Sequence, residues 1–155
     1  MKIADILQPS MIVPELAARD KEALVKELSQ LLCRGVDGLK GAADAVYKAL
    51  IARERLGSTG VGESVAIPHA KIPGLTNLTA AFGRSQAGIP FDAIDSQPVR
   101  LVFVLLVPEN SAGAHLKALA RIARLLKSPS FRDRLLSLPD AASVYDAFLE
   151  EDAKY

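Results

Sequence analysis

The sequence has only one cysteine and no long apolar run, and these two features exclude disulfide-stabilised and membrane-spanning proteins. A single thiol, Cys33, excludes a disulfide framework, and its place in a helical apolar pattern predicts a core residue in a reducing compartment. No apolar stretch reaches the ~20 residues that span a bilayer. Asp5, Pro9 and Pro14 interrupt the region where a signal peptide would be apolar. We therefore expect a soluble, cytoplasmic protein.

An excess of charge of one sign is also absent. The 19 basic and 18 acidic residues leave a formal net charge of +1, so no polyelectrolyte character points to nucleic acid or a membrane surface as the partner. The 155 residues, half of them hydrophobic, are enough to bury the core of one compact domain. We predict a single domain over residues 1–155 that recognises its partners locally.

Five segments have the apolar periodicity of amphipathic helices. Asp20 has the side chain of an N-cap for the first, and Gly35 is a residue that ends helices. In the third helix, His115 falls in the first turn. The helices are expected at 20–35, from about 43 to 53, around 116–126, after Ser128-Pro129 and after Asp140.

The segments between these helices contain candidate strands. Val65 to Ile67 is expected to form a short buried strand, and 78–83 alternates like a strand covered on one side. The apolar run from Val99 to Val107 lacks alternation and predicts a central strand buried on both faces. Helices interleaved with such a strand indicate an α/β fold, with the sheet sandwiched between helices on both faces.

A glycine-rich segment, Gly57 to Gly62, is expected to be a tight loop that exposes backbone N–H groups. It does not form a P-loop, because Glu63 stands where the phosphate-binding lysine is required. It does not match a dinucleotide fingerprint either, since Val65 occupies the position of the third glycine. Ser64 precedes a strand and lacks the closing glycine of a nucleophile elbow, which argues against a serine hydrolase.

The chain has just two histidines, His69 and His115, and neither belongs to a zinc-binding array. His69 follows Pro68, which is expected to stop the preceding strand, and it lies soon after the glycine-rich segment. An imidazole with a pKa near 6.5 is mostly neutral at pH 7 and offers a nucleophilic nitrogen without a dedicated base. This chemistry is suited to accepting a phosphoryl group, and it requires neither a metal nor a cofactor.

A phosphorylated His69 would carry roughly two negative charges, which donors or cations must meet. The candidates along the chain are the loop amides, Ser58, Thr59, Arg53, Lys71 and the second imidazole. Composition by itself leaves structural roles open for these residues, such as a loop cap for the histidine or a helix C-terminal cation for Arg53.

Five motifs carry a resemblance to a known family. They are Arg53–Gly62 (RERLGSTGVG), Ala66–Lys71 (AIPHAK), Pro90–Asp95 (PFDAID), Val102–Pro108 (VFVLLVP) and His115-Leu116. In these motifs and their order, the sequence resembles the IIA proteins of the bacterial phosphotransferase system, of the fructose/mannitol type. It most closely resembles the nitrogen-regulatory branch, enzyme IIA-Ntr, and the resemblance covers nearly the whole chain.

The resemblance implies a role for each candidate residue. His69 would be the phosphoryl acceptor, His115 would lie beside it and help bind the phosphoryl group, and Arg53 would neutralise the charge. Ser58 and Thr59 belong to the matching glycine loop and are expected to bind phosphate. The donor would be a phosphocarrier resembling NPr or HPr, charged from phosphoenolpyruvate by an enzyme I. The implied fold is a mixed sheet between helical layers, without a cofactor.

Several functions remain open at this point. The protein could be a regulator whose phosphorylation state controls transporters, channels or kinases, or a sugar-uptake IIA that passes the phosphoryl group to a separate IIB. No IIB, IIC or HPr-like segment accompanies the motifs, which favours a stand-alone regulator. A regulator that only binds its targets, and a small hydrolase that combines His69 with Asp92 or Asp95, are the remaining alternatives.

Overall fold

The computed structural model describes residues 1–155, the side chain of Ala112 excepted. The helices are α1 (Lys21–Gly35), α2 (Ala43–Arg55), α3 (Ala112–Lys127), α4 (Pro129–Ser137) and α5 (Ala141–Asp152). The strands are β1 (Ile12–Val13), β2 (Gly60–Gly62), β3 (Val65–Ala66), β4 (His69–Ile72), β5 (Thr79–Ile89) and β6 (Val99–Pro108).

Three helices begin at the caps that the sequence predicts. The Asp20 carboxylate accepts a hydrogen bond from the Ala23 amide at the start of α1. The Ser128 hydroxyl accepts one from the Phe131 amide at the start of α4. Asp140 forms a reciprocal capping box with Ser143 at the start of α5. Within the described residues, every helix falls short of the length and apolar character that crossing a membrane requires.

Strand β6 is the centre of the sheet, as its apolar run predicts. It is buried from Leu101 to Val107, pairs antiparallel with β5 on one edge, and pairs parallel with β3 and β4 on the other. The path across the sheet is β1-β5-β6-β3-β2, with β4 added on β6 beyond β3. Both strand directions occur, so the sheet is mixed.

Helices pack on this sheet in two groups. Helices α1 and α2 contact each other and reach β5 and β4, whereas α3, α4 and α5 contact one another in chain order and reach β6 and β1. The ring of Phe148 in α5 lies 5.0 Å from that of Phe82 in β5 and 5.7 Å from that of Phe103 in β6, centroid to centroid. This architecture confirms the predicted α/β class, and Cys33 is buried in the core as expected.

The glycine-rich segment is a loop only in part, so the expectation of a loop over 57–62 was wrong for its second half. Gly60–Gly62 is strand β2, which pairs antiparallel with β3 through a tight turn at Glu63 and Ser64. A Cβ at Gly60 would lie 2.7 Å from the Cβ of Ala93. The glycine therefore serves close packing in a sheet, which composition alone does not distinguish from loop flexibility.

Strand β5 is also covered more fully than its alternation predicts. Ala81 and Gly83 are buried as well as Ala80 and Phe82, so both faces of the strand are covered, not one. The Leu16 side chain packs directly on Gly83, where an added Cβ would lie 2.7 Å from a Leu16 methyl group. Small residues on this face thus make room for a neighbouring chain segment.

A buried arginine in β5 joins distant parts of the chain. Arg84 is 5% exposed, and its Nε donates to the Pro14 carbonyl at 2.7 Å. Its Nη1 donates to the carbonyls of Leu135 and Leu138 at 2.6 Å, at the end of α4. These carbonyl groups are otherwise the orphan acceptors of a helix C-terminus.

We expect Arg84→Met to destabilise the protein, because it leaves these carbonyl groups without their donor. Hydrogen bonds to charged groups contribute about 1.5–3 kcal/mol each, and losses at one residue are not additive, so a loss of about 3 kcal/mol is expected. Urea denaturation measures it, with Arg34→Met on the exposed part of α1 as the control. Equal midpoints for the two variants would contradict this role.

Candidate functional site

An open cleft of about 490 Å³ brings three of the predicted site residues, Arg53, His69 and His115, together at the end of β6. Arg53 lies in the last turn of α2 and His115 in the first turn of α3. Strand β4 contributes Lys71 as well as His69, and Leu56, the C-cap of α2, adds an apolar side chain. Residues far apart in sequence therefore meet at one concave surface.

His69 is held in one orientation by its own backbone. Its Nδ1 lies 2.8 Å from the carbonyl oxygen of Ile67. A carbonyl oxygen only accepts, so Nδ1 carries the proton and donates it, which leaves the lone pair of the neutral ring on Nε2. His69 lies past the end of β3, as its position after Pro68 predicted, and it begins the next strand, β4, opposite Leu105. Because β4 has only four residues, its alternation of buried and more exposed side chains is too short to be recognised in the sequence.

The surroundings of His69 favour its neutral form. Burial lowers the pKa of His69 below its ordinary value of 6.5, and the nearby Arg53 guanidinium and His115 side chain lower it further. The hydrogen bond to Ile67 and the carboxylate of Glu54 oppose these effects without reversing them. The ring is therefore predominantly neutral at pH 7, the state in which Nε2 is a nucleophile.

His115 and Arg53 are the neighbours of His69 in the cleft. The ring centroids of His69 and His115 are 5.9 Å apart, with the planes tilted by 43°. The Nη1 of Arg53 donates to the carbonyl of Gly57 at 2.9 Å, which anchors the guanidinium to the loop after α2. Lys71, two residues after His69 in β4, adds a second cationic side chain, besides Arg53, to the cleft wall.

Ser58 and Thr59 are not on the wall of this cleft. Both hydroxyl groups donate to the carboxylate of Glu54, and Thr59 is only 4% exposed. The loop amides are also engaged, because the Thr59 amide donates to Glu54 and the Gly60 amide donates to the Ser58 hydroxyl. The loop therefore uses these donors to hold itself in place.

Two charged residues near the site, Glu54 and Lys21, were not predicted from the sequence. The Lys21 ammonium lies 3.1 Å from the Glu54 carboxylate, whose side chain is 4% exposed. Glu54 stands four and five residues before the two hydroxyl residues that bind it. A glutamate in the last turn of a helix followed by Ser-Thr at that spacing is a signal from which the contact could have been predicted.

The acidic residues of the hydrolase alternative do not reach His69. Asp92 is almost fully exposed and lies 3.7 Å from Lys21, and Asp95 accepts from the amide of Glu63. Neither contributes to the cleft wall. A carbonyl, not a carboxylate, orients the His69 ring, so the arrangement lacks the third member of a hydrolytic triad.

Comparisons with known proteins match nearly the whole chain. Residues 5–151 match the family model for EIIA 2 of the phosphoenolpyruvate-dependent sugar phosphotransferase system. A nitrogen regulatory protein of Bradyrhizobium diazoefficiens is 42% identical over 94% of this chain and 93% of its own length. A fructose-specific EIIA component of Haloferax volcanii is 37% identical over 94% of this chain and 97% of its own.

A solved structure matches the whole architecture. The crystal structure of nitrogen regulatory protein IIA-Ntr from Neisseria meningitidis superposes with a TM-score of 0.87 at 40% identity, covering 94% of this chain and 98% of that one. The fold, the family model and the sequence relatives therefore agree along nearly the entire chain. The chain belongs to the EIIA type 2 family of the phosphoenolpyruvate-dependent phosphotransferase system.

Proposed function

We propose that this protein is a cytoplasmic phosphocarrier that accepts a phosphoryl group on Nε2 of His69 from an HPr- or NPr-like protein. The observation that carries the proposal is the hydrogen bond from Nδ1 to the Ile67 carbonyl, which leaves the lone pair on Nε2. The lowered pKa of His69 supports it, because the ring is then nucleophilic at neutral pH.

The transfer needs no proton to leave His69. The Nε2 lone pair forms the new bond to phosphorus, the P–N bond of the donor breaks, and its electron pair returns to the donor imidazole. Nδ1 keeps its proton, so the phosphorylated ring becomes cationic. The Ile67 carbonyl dipole stabilises that cationic ring, since a hydrogen bond from a charged donor is stronger than one from a neutral donor.

The cations of the cleft meet the charge of the transferred group. A phosphoryl group in transit spreads negative charge over three equatorial oxygens, and catalysis consists mainly of positioning and electrostatics. Arg53 and Lys71 supply positive charge, and His115 supplies a ring nitrogen beside the acceptor. We propose that Ser58 and Thr59 serve the phosphate site indirectly, by holding the loop through Glu54, instead of contacting phosphate.

Two exposed leucines give the donor a surface to dock on. Leu56 at the end of α2 is 85% exposed, and Leu116, next to His115, is 65% exposed. Large apolar side chains at this exposure beside a reactive cleft mark a protein-binding surface. The donor's own phosphohistidine would reach His69 between them.

Similarity to nitrogen regulatory proteins favours a regulator whose phosphorylation state controls target proteins such as transporters, channels or kinases. Phosphorylation adds charge at the docking surface, which releases partners that bind the uncharged form. The similarity to a fructose-specific component keeps sugar uptake, with transfer to a separate IIB, as the second candidate. Both require the same first step on His69, and only a binding-only regulator would dispense with it.

Intact-mass analysis with phosphoenolpyruvate, enzyme I and an HPr-type carrier tests the first step. We expect wild type to gain one acid-labile phosphoryl mass, and His69→Ala to gain none because it lacks the acceptor. His115→Ala should still be labelled, but more slowly, because only charge stabilisation is lost. Labelling of a folded His69→Ala protein would refute the assignment, and an unlabelled wild type with several active carriers would favour the binding-only regulator.

A pair of arginines on α2 provides a matched test of the electrostatic role. Arg53 lines the cleft, whereas Arg55 is exposed and lies outside the cleft wall. Removal of one preorganised donor typically slows a reaction about 100-fold or more, so Arg53→Gln should lower the transfer rate by about 100-fold. Arg55→Gln should match wild type in the same quench-flow assay. Equal rates for the two variants would exclude a role for Arg53 in the transfer.

A further inference from the structure

The carboxylate of Glu54 is buried beside the site but does not line the cleft. It is 7% exposed and accepts from the Thr59 amide at 3.0 and 3.1 Å, from the Ser58 hydroxyl at 2.8 Å and from the Thr59 hydroxyl. Each of these bonds uses Glu54 only as an acceptor, which is the bonding pattern of a carboxylate. All of these hydrogen bonds join Glu54 to the loop that follows α2.

Lys21 at the start of α1 provides the counterion. Its ammonium group lies 3.1 Å from Glu54 and 4.7 Å from the centroid of the Phe91 ring, and its side chain is 14% exposed. Burying an ion pair carries a desolvation cost that often exceeds the Coulombic gain, so such a pair is weak evidence for stability. Its location beside a reactive site points instead to a role in positioning.

The loop held by Glu54 is the loop that anchors Arg53. Arg53 Nη1 donates to the Gly57 carbonyl at 2.9 Å, and the next two residues, Ser58 and Thr59, are the ones bonded to Glu54. Two adjacent residues of α2 therefore make parallel links to the same short loop. Arg53 can keep its place only while Gly57 keeps its own.

We propose that Glu54, with Lys21 as its counterion, is the positioning residue that holds Arg53 against His69 through the 57–59 loop. The inference rests on the proposed phosphoryl transfer and adds a residue to it that touches neither the donor nor the phosphoryl group. Glu54 contributes to the reaction by keeping the guanidinium preorganised, so its effect depends on the presence of Arg53.

Glu54→Gln tests this role with minimal change of shape. In this variant an N–H₂ replaces one of the two oxygens that accept from Ser58 and Thr59, so the loop loses part of its hold. A small misplacement of a catalytic group can cost up to 100-fold, and we expect the maximal single-turnover rate of phosphoryl transfer to fall about tenfold. The donor concentration that gives half of this rate should not change, because the docking side chains of Leu56 and Leu116 are retained. Glu22→Gln, an exposed residue with the same charge change, should match wild type.

A double-mutant cycle separates positioning from general weakening of the fold. If Glu54 acts through Arg53, then Arg53→Gln/Glu54→Gln should be no slower than Arg53→Gln alone. If the double variant instead lost the product of the two single-variant factors, the proposal would be overturned, as it would by an unchanged transfer rate in Glu54→Gln. If Glu54→Gln does not fold, Lys21→Met replaces it in the cycle, with a smaller loss of transfer rate expected and the same criterion.

A measurement without a donor keeps this inference distinct from the proposed function. Relaxation of the Arg53 side-chain ¹⁵N signal reports how firmly the guanidinium is held in wild type and in Glu54→Gln. Increased mobility in the variant is the expected result, and equal mobility would overturn the positioning role even if His69 is phosphorylated. If wild type is not labelled, the proposed function fails while this readout still decides whether Glu54 anchors Arg53.

Discussion

The hydrogen bond from His69 Nδ1 to the Ile67 carbonyl is the interaction on which the site depends. It fixes both the tautomer of the ring and the nitrogen that is left to react. The backbone on either side is tied to neighbouring segments, since Ile67 donates to the Thr59 carbonyl and Pro68 accepts from the Leu105 amide. The orientation of one side chain is therefore set by the sheet itself.

The sheet places this bond at an interruption that a proline creates. One edge of β6 carries β3 opposite Leu101 and Val102 and then β4 from Leu105 onward. Pro68 has no N–H to contribute to a continuous ladder, so the strand breaks there and resumes at His69. At this break, the carbonyl oxygen of Ile67 accepts the hydrogen bond from the ring of His69, two residues later. Helix α2 ends beside β4, and α3 begins beside it. Arg53 and His115 therefore lie in the same cleft as the His69 ring.

Much of this could be predicted from sequence, because the signals are local. The helix caps at Asp20, Ser128 and Asp140 and the central strand β6 follow from side-chain chemistry and from an unbroken apolar run. The pairing of Gly60–Gly62 in a strand could not, because glycines are equally typical of a loop, and the packing of Ala93 against Gly60 is a tertiary contact. Family motifs point to His69 as the candidate acceptor, but the engagement of Ser58 and Thr59 by Glu54 depends on hydrogen bonds that form only in the folded structure.

The central claim is that Nε2 of His69 is the reactive atom, and it is tested most directly by determining which nitrogen carries the phosphoryl group. NMR of the phosphorylated protein, labelled with ¹⁵N in histidine, detects the ³¹P–¹⁵N coupling and assigns it to a ring nitrogen. The account predicts coupling to Nε2 of His69, with Nδ1 still protonated and bonded to Ile67. Coupling to Nδ1, or to either nitrogen of His115, would contradict it.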